Sequence, residues 1–110
     1  MGTIKPTSKA NLKRAAMLMK ALSHPARLQI LFFVEDKEER VFAIQKHVHL
    51  TQAMTSQHLK VLFESGYLDR RREGTSIHYK LSKKQGKKIL PYLEDCAALW
   101  DGPAIGKQSS

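Results

Sequence analysis

The chain has 110 residues, with 19 Lys and Arg against 10 Asp and Glu, a formal net charge of +9. That length fits one domain with a thin core, burying roughly 60–70% of the surface an unfolded chain exposes. The charge favours a polyanionic partner, nucleic acid first, and a lone cysteine, Cys96, excludes an intramolecular disulfide or a multi-thiolate site within one chain.

No long apolar segment or acylation signal points to a membrane, and residues 1–8 lack the apolar core of a secretory signal. The expected location is therefore the cytoplasm. Residues 1–7 are expected to be a flexible N-terminus, 8–101 one folded domain, and 102–110 a flexible tail.

From Ser8 the apolar positions Leu12, Ala15, Ala16, Met19 and Leu22 follow the helical period, and Met17 and Leu18 widen the stripe. A helix apolar on more than one side needs two surfaces to pack against. Ser23-His24-Pro25 opens a second helix, with serine as the expected cap and proline in the first turn. Ile30 to Val34, five apolar residues in a row, predict that this helix is buried nearly all round. Glu35 to Arg40 reads as a charged connector.

Val41 to Val48 predicts a short helix with Val41, Ile44 and Val48 inward. His49-Leu50 is a tight turn, and Thr51 caps the helix that follows. There Thr55, Leu59, Leu62 and Phe63 face inward, while Gln52, Ala53, Ser56, Gln57 and Lys60 form the outward stripe. Gly66 fits a left-handed helix stop. Tyr67 to Leu81 reads as a hairpin turning at Glu73-Gly74, with Ile77, Tyr79 and Leu81 alternating against Ser76, His78 and Lys80. A last helix from Lys83 to Trp100 carries Ile89, Leu90, Leu93, Ala97 and Trp100 at helical spacing; Pro91 predicts a kink or a later start.

The fold class expected is mainly α with a small β-hairpin: a winged helix-turn-helix of five helices and a two-stranded wing. Gln52, Ser56 and Gln57 can donate and accept at base edges in a major groove. Thr51 and the free amides beside it suit a phosphate. An uncharged helix face is ordinary surface by itself, and so is a run of arginines on a strand; their succession is what points to double-stranded DNA. Arg70 and Arg72 share one strand face and Arg71 takes the other. Lys60, Arg70, Arg72 and Thr75 are the expected phosphate contacts, with His78 and Ser76 as further neutral ones.

Several stretches then match a known family in order: Leu22-Ser23-His24-Pro25-Ala26-Arg27-Leu28-Gln29-Ile30-Leu31, Thr51 to Leu62 with its Ser56-Gln57-His58-Leu59 core, Gly66-Tyr67-Leu68, Arg72-Glu73-Gly74-Thr75, and His78-Tyr79-Lys80-Leu81-Ser82. The chain resembles the ArsR/SmtB winged-helix bacterial repressors over about residues 10–100. The resemblance implies a homodimer joined through the first and last helices, bound to a pseudo-palindromic operator and released by a signal. Reading helices ~34 Å apart would meet successive major grooves. Met17, Leu18, Leu93, Ala97 and Trp100 are the expected seam; completing the monomer core is their alternative role.

Metal-sensing members of that family carry Glu-Leu-Cys-Val-Cys-Asp-Leu where this chain has Glu38 to Ile44, with Arg40 and Phe42 at the two cysteine positions. Neither can ligate a metal. Residues 83–101 contain no histidine, so the family's other metal site lacks support too. No metal and no cofactor is expected. Cys96 is expected to be a buried spectator, its neighbours Glu94 and Asp95 arguing against a reactive thiol. No catalytic constellation is present, so an enzyme is not expected. The expected function is a sequence-specific transcriptional regulator, most simply a repressor; a thiol switch through Cys96, a protein-interaction module and a nonspecific DNA binder are the rivals.

Overall fold

The structure is a computed structural model that describes residues 8–99. The ends expected to be flexible, 1–7 and 102–110, and the expected seam residue Trp100 lie outside the described residues. Five helices and three strands follow in order: α1 (Lys9–Ala21), α2 (Pro25–Phe33), β1 (Glu39–Arg40), α3 (Val41–Val48), α4 (Gln52–Glu64), β2 (Leu68–Glu73), β3 (Ser76–Leu81) and α5 (Gly86–Leu99). The strands form one antiparallel sheet in the order β1-β3-β2.

Local chemistry sets the helix ends. Ser8 caps α1, accepting a bond from the Asn11 amide at 3.3 Å. The expected serine cap of α2 is different: His24 holds the cap position with Pro25 after it, and Ser23 Oγ donates to the Lys20 carbonyl at 2.7 Å, closing α1 instead. Thr51 caps α4 as its sequence predicts, accepting from the Met54 amide at 3.1 Å. That helix ends in a Schellman motif. The Tyr67 amide donates to the Leu62 carbonyl and the Gly66 amide to that of Phe63, with Gly66 at φ +86°.

The core gathers Ile30, Leu31 and Val34 of the α2 region, Ile44 of α3, Leu59 and Leu62 of α4, and Leu68 and Leu81 of the hairpin. The run from Ile30 to Val34 is not buried all round. Phe32 remains 38% exposed, because at 3.6 residues per turn five consecutive positions cannot all face one core. Arg27 reaches from α2 to α4, donating through Nε to His58 Nδ1 at 3.0 Å and through Nη1 to the Ala21 carbonyl at 3.2 Å. One guanidinium thus ties α4 to the end of α1. Burial chiefly, with the charge of Arg27 and the nearby His24 adding to it, holds the His58 imidazole below its ordinary pKa.

The expected connector contains a strand that sequence did not reveal. Glu39 and Arg40 pair with Tyr79 and His78 across the outer edge of β3. Two residues are too few to show an alternating pattern. In the wing, Arg70 lies opposite Tyr79, Arg72 opposite Ile77, and Arg71 opposite His78. The loop is Gly74-Thr75, one residue past the expected turn, and Gly74 takes φ +62° there.

Helix α5 begins at Gly86, later than Lys83, and runs through Pro91. Ser82 fixes that start. Its hydroxyl donates to the Gly66 carbonyl and accepts from the Gly86 amide, both at 2.7 Å, while its own amide donates to the Tyr67 carbonyl at 3.1 Å. Gln85 Nε2 donates to the Ser65 carbonyl at 2.6 Å. A Cβ at Gly86 would stand 2.3 Å from the Tyr67 carbonyl oxygen, so only glycine allows the approach.

Two expectations follow. Gly86→Ala must push α5 away from Tyr67 and should lower stability by about 1–3 kcal/mol, read as a lower urea midpoint. His58 favours its neutral form in the folded state, so its contribution to stability is complete above its ordinary value of 6.5 and is lost as pH falls from there through the lowered folded value. Wild type should therefore lose more stability than His58→Gln between about pH 7 and pH 5, measured by urea unfolding; equal losses would remove His58 from the account.

Candidate nucleic-acid interface

The outward stripe of α4 expected from helical spacing is the stripe the fold exposes: Gln52, Ala53, Ser56, Gln57 and Lys60 all face solvent, and Thr55, Leu59 and Leu62 are buried. Its first turns carry no carboxylate; Glu64 at the last turn is the first acidic side chain on α4. The amide ends of this helix are also its most positive part.

Between α4 and the wing runs an open groove of about 800 Å³. Six predicted residues line it together: Gln52, Ser56 and Lys60 from the helix, Arg70, Thr75 and Ser76 from the wing. Arg70 is held in place, its guanidinium carbon 4.0 Å from the centroid of the Phe63 ring. Stacking on the ring leaves the N–H edge of the guanidinium free for an acceptor. Arg72, two residues on, shares the strand face of Arg70 and is exposed. Thr51 and Gln57 are exposed as well but do not line the groove.

His78 is placed elsewhere. It lies across from Arg71 on the other side of the wing, only 17% exposed, with Nδ1 3.7 Å from Glu38 and Nε2 3.6 Å from Glu73. Sequence alternation already separated it from Arg70 and Arg72, and the strand register fixes it beside carboxylates. Arg71 pairs there with Glu38 and, at 3.4 Å, with Glu73. The hydrogen bond from Arg71 is the main reason the Glu38 carboxyl lies below its ordinary pKa. The two faces of the wing therefore differ: one presents free cations, the other an internally neutralised cluster.

Sequence reasoning missed two residues of the groove, Arg40 and Phe42. Arg40 sat in the supposed connector. Phe42 is exposed, as the inward spacing of Val41, Ile44 and Val48 implies.

At the expected seam, Met17 is 66% exposed and Ala97 is exposed, while Leu18 and Leu93 are partly buried against the core. Leu12, Met19, Tyr92 and Leu99 extend the exposed apolar surface of α1 and α5. Cys96 is exposed in the single chain, not buried as its sequence setting suggested. Among the described residues no group of three or more His, Cys, Asp or Glu could hold a metal ion, and no helix is long and apolar enough to cross a membrane.

Comparison with known proteins gives this geometry a family. A family model described as "Bacterial regulatory protein, arsR family" matches residues 24–70, from the start of α2 into the wing. The Biofilm growth-associated repressor of Agrobacterium fabrum is 32% identical over 88 residues, covering 80% of this chain and 75% of that protein. The Transcriptional activator HlyU of Vibrio cholerae is 34% identical over 83 residues, covering 76% and 77%. Among solved structures, a homodimeric winged helix-turn-helix DNA-binding domain from Mycobacterium bovis superposes with a TM-score of 0.74 at 28% identity, over 88% of this chain and 89% of that one. The chain is a winged helix-turn-helix transcriptional regulator and belongs to the arsR family of bacterial regulatory proteins.

Proposed function

We propose that this regulator binds double-stranded DNA as a homodimer at a pseudo-palindromic operator and represses the promoter it occupies. The observation that carries the reading is the groove, in which a helix face with no carboxylate before Glu64 in its last turn and a ring-mounted arginine converge. Gln52, Ser56 and Gln57 read base edges in the major groove. Lys60, Arg70, Arg72 and Thr75 hold phosphates, and Thr51 with the α4 N-terminus adds backbone amides to the same strand. His78 faces Glu38 and Glu73 on the back of the wing and is left out of this contact set.

Dimerisation is supported by the apolar side chains that α1 and α5 leave in solvent, and by the homodimeric state named for the Mycobacterium bovis domain. Met17, Leu18, Leu93, Ala97 and Trp100 are the proposed seam. Repression follows from occupancy alone, and the Agrobacterium fabrum relative is named a repressor.

Selection of bound genomic fragments by the purified protein defines the operator for testing. Gln57→Ala should then relax the preference at one base pair by ~1–3 kcal/mol. Arg72→Ala should weaken binding to all sequences alike and flatten the salt dependence by about one unit. Unchanged operator affinity in both variants would refute the assigned reading face. Met17→Glu should shift the wild-type dimer to monomer in sedimentation and reduce operator binding with it; a variant that remains dimeric moves the seam away from α1.

A further inference from the structure

We propose that Phe42 and Lys46 form a second contact of this interface, taking the deoxyribose and adjoining phosphate of the DNA strand that occupies the groove. The inference rests on the DNA-binding reading above and adds the first helix of the helix-turn-helix to it. Phe42 is the second residue of α3 and is 69% exposed, while Ile44 and Val48 of the same helix are buried. It lines the groove together with the proposed base readers Gln52 and Ser56. One turn further on, Lys46 sets its Nζ 5.4 Å from the centroid of the Phe42 ring, within reach of a cation–π contact.

The occupant follows from what the groove offers. Arg40, Lys60 and Arg70 supply three positive charges against one carboxylate, Glu64, so the occupant is anionic. The Phe42 ring has no hydrogen-bonding group, so the occupant also presents an apolar face. A nucleic-acid strand alternates these two properties, charged phosphate and C–H-rich sugar. A ring and an ammonium at i and i+4 match that alternation: the ring covers a deoxyribose while the lysine reaches the next phosphate. The ring also holds the ammonium before DNA arrives, which reduces the ordering cost on binding.

The test uses the full-length protein, a fluorescein-labelled duplex of its selected operator, and a labelled duplex of scrambled sequence, each across a salt titration. Phe42→Ala and Phe42→Gln should weaken both duplexes roughly three- to tenfold while leaving the slope of log K against log salt unchanged, because an apolar contact releases no counterion. Lys46→Ala should instead lower that slope by about 0.9. Exposure of Phe42 predicts that both of its variants keep the wild-type urea midpoint. Wild-type affinity in the Phe42 variants, with Arg70→Ala still impaired, would overturn this contact and leave the DNA reading standing. A Phe42 variant that flattens the salt slope as Lys46→Ala does would overturn the sugar contact too. Failure of the wild-type protein to bind any duplex would bring down both readings.

Discussion

The arrangement depends on one buried hydroxyl. Ser82 bonds at once to the turn that ends α4, through the Gly66 carbonyl, and to the first amide of α5. The Gly86 amide is buried, and such a donor left unmet costs about 1–3 kcal/mol. Gln85 adds a bond to Ser65, and Gly86 lets the two backbones meet. Tyr67, beside this junction, donates its hydroxyl to the Leu18 carbonyl of α1 at 3.0 Å. Short polar contacts to α5 and α1 thus add direction to the apolar packing of Leu59 and Leu62 in fixing α4. Helices proposed to face a partner and a helix proposed to face DNA share one joint.

A second constraint shapes the electrostatics. A net charge of +9 does not by itself place any cation on one face. The wing sorts its three arginines by register. Arg71 is turned to the back, where Glu38 and Glu73 neutralise it, and Arg70 and Arg72 keep the front. Glu38 precedes the short strand β1, so the same ion pair joins the wing to the entry of α3. The pairs are largely exposed and add little to stability. Their effect is directional: they keep the Arg71 charge on the side of the wing away from Arg70 and Arg72.

Much of this was legible in the sequence because the relevant signals are local. Thr51 and Gly66 mark the limits of α4 by their side-chain chemistry and backbone freedom, and helical spacing assigned its two faces correctly. Alternation separated Arg71 from its neighbours. The misses arise where tertiary context decides. Two residues of β1 carry no periodicity of their own and become a strand only because β3 offers an open edge. Ser23 is a good helix cap in isolation, yet its hydroxyl finds the Lys20 carbonyl first. His78 has a groove-compatible chemistry, but the register surrounds it with carboxylates. Groove residues from five separate elements, among them Arg40 and Phe42, converge only after folding.

Helix α1 has a physical consequence beyond its place in the fold. Of its thirteen residues only Ala21 is buried within the single chain, and a helix that short is marginal in water without a surface to lie on. Leu18 and the Tyr67 bond hold it to the core, and a cover over the exposed Met17 and Met19 would add to that hold. If that cover is a second chain, helix formation and association become one equilibrium, and the protein's own concentration enters its folding free energy. Dilution would then act as a denaturant confined to one end of the molecule, loosening α1 first and, through the Tyr67–Leu18 bond, the footing of the reading helix.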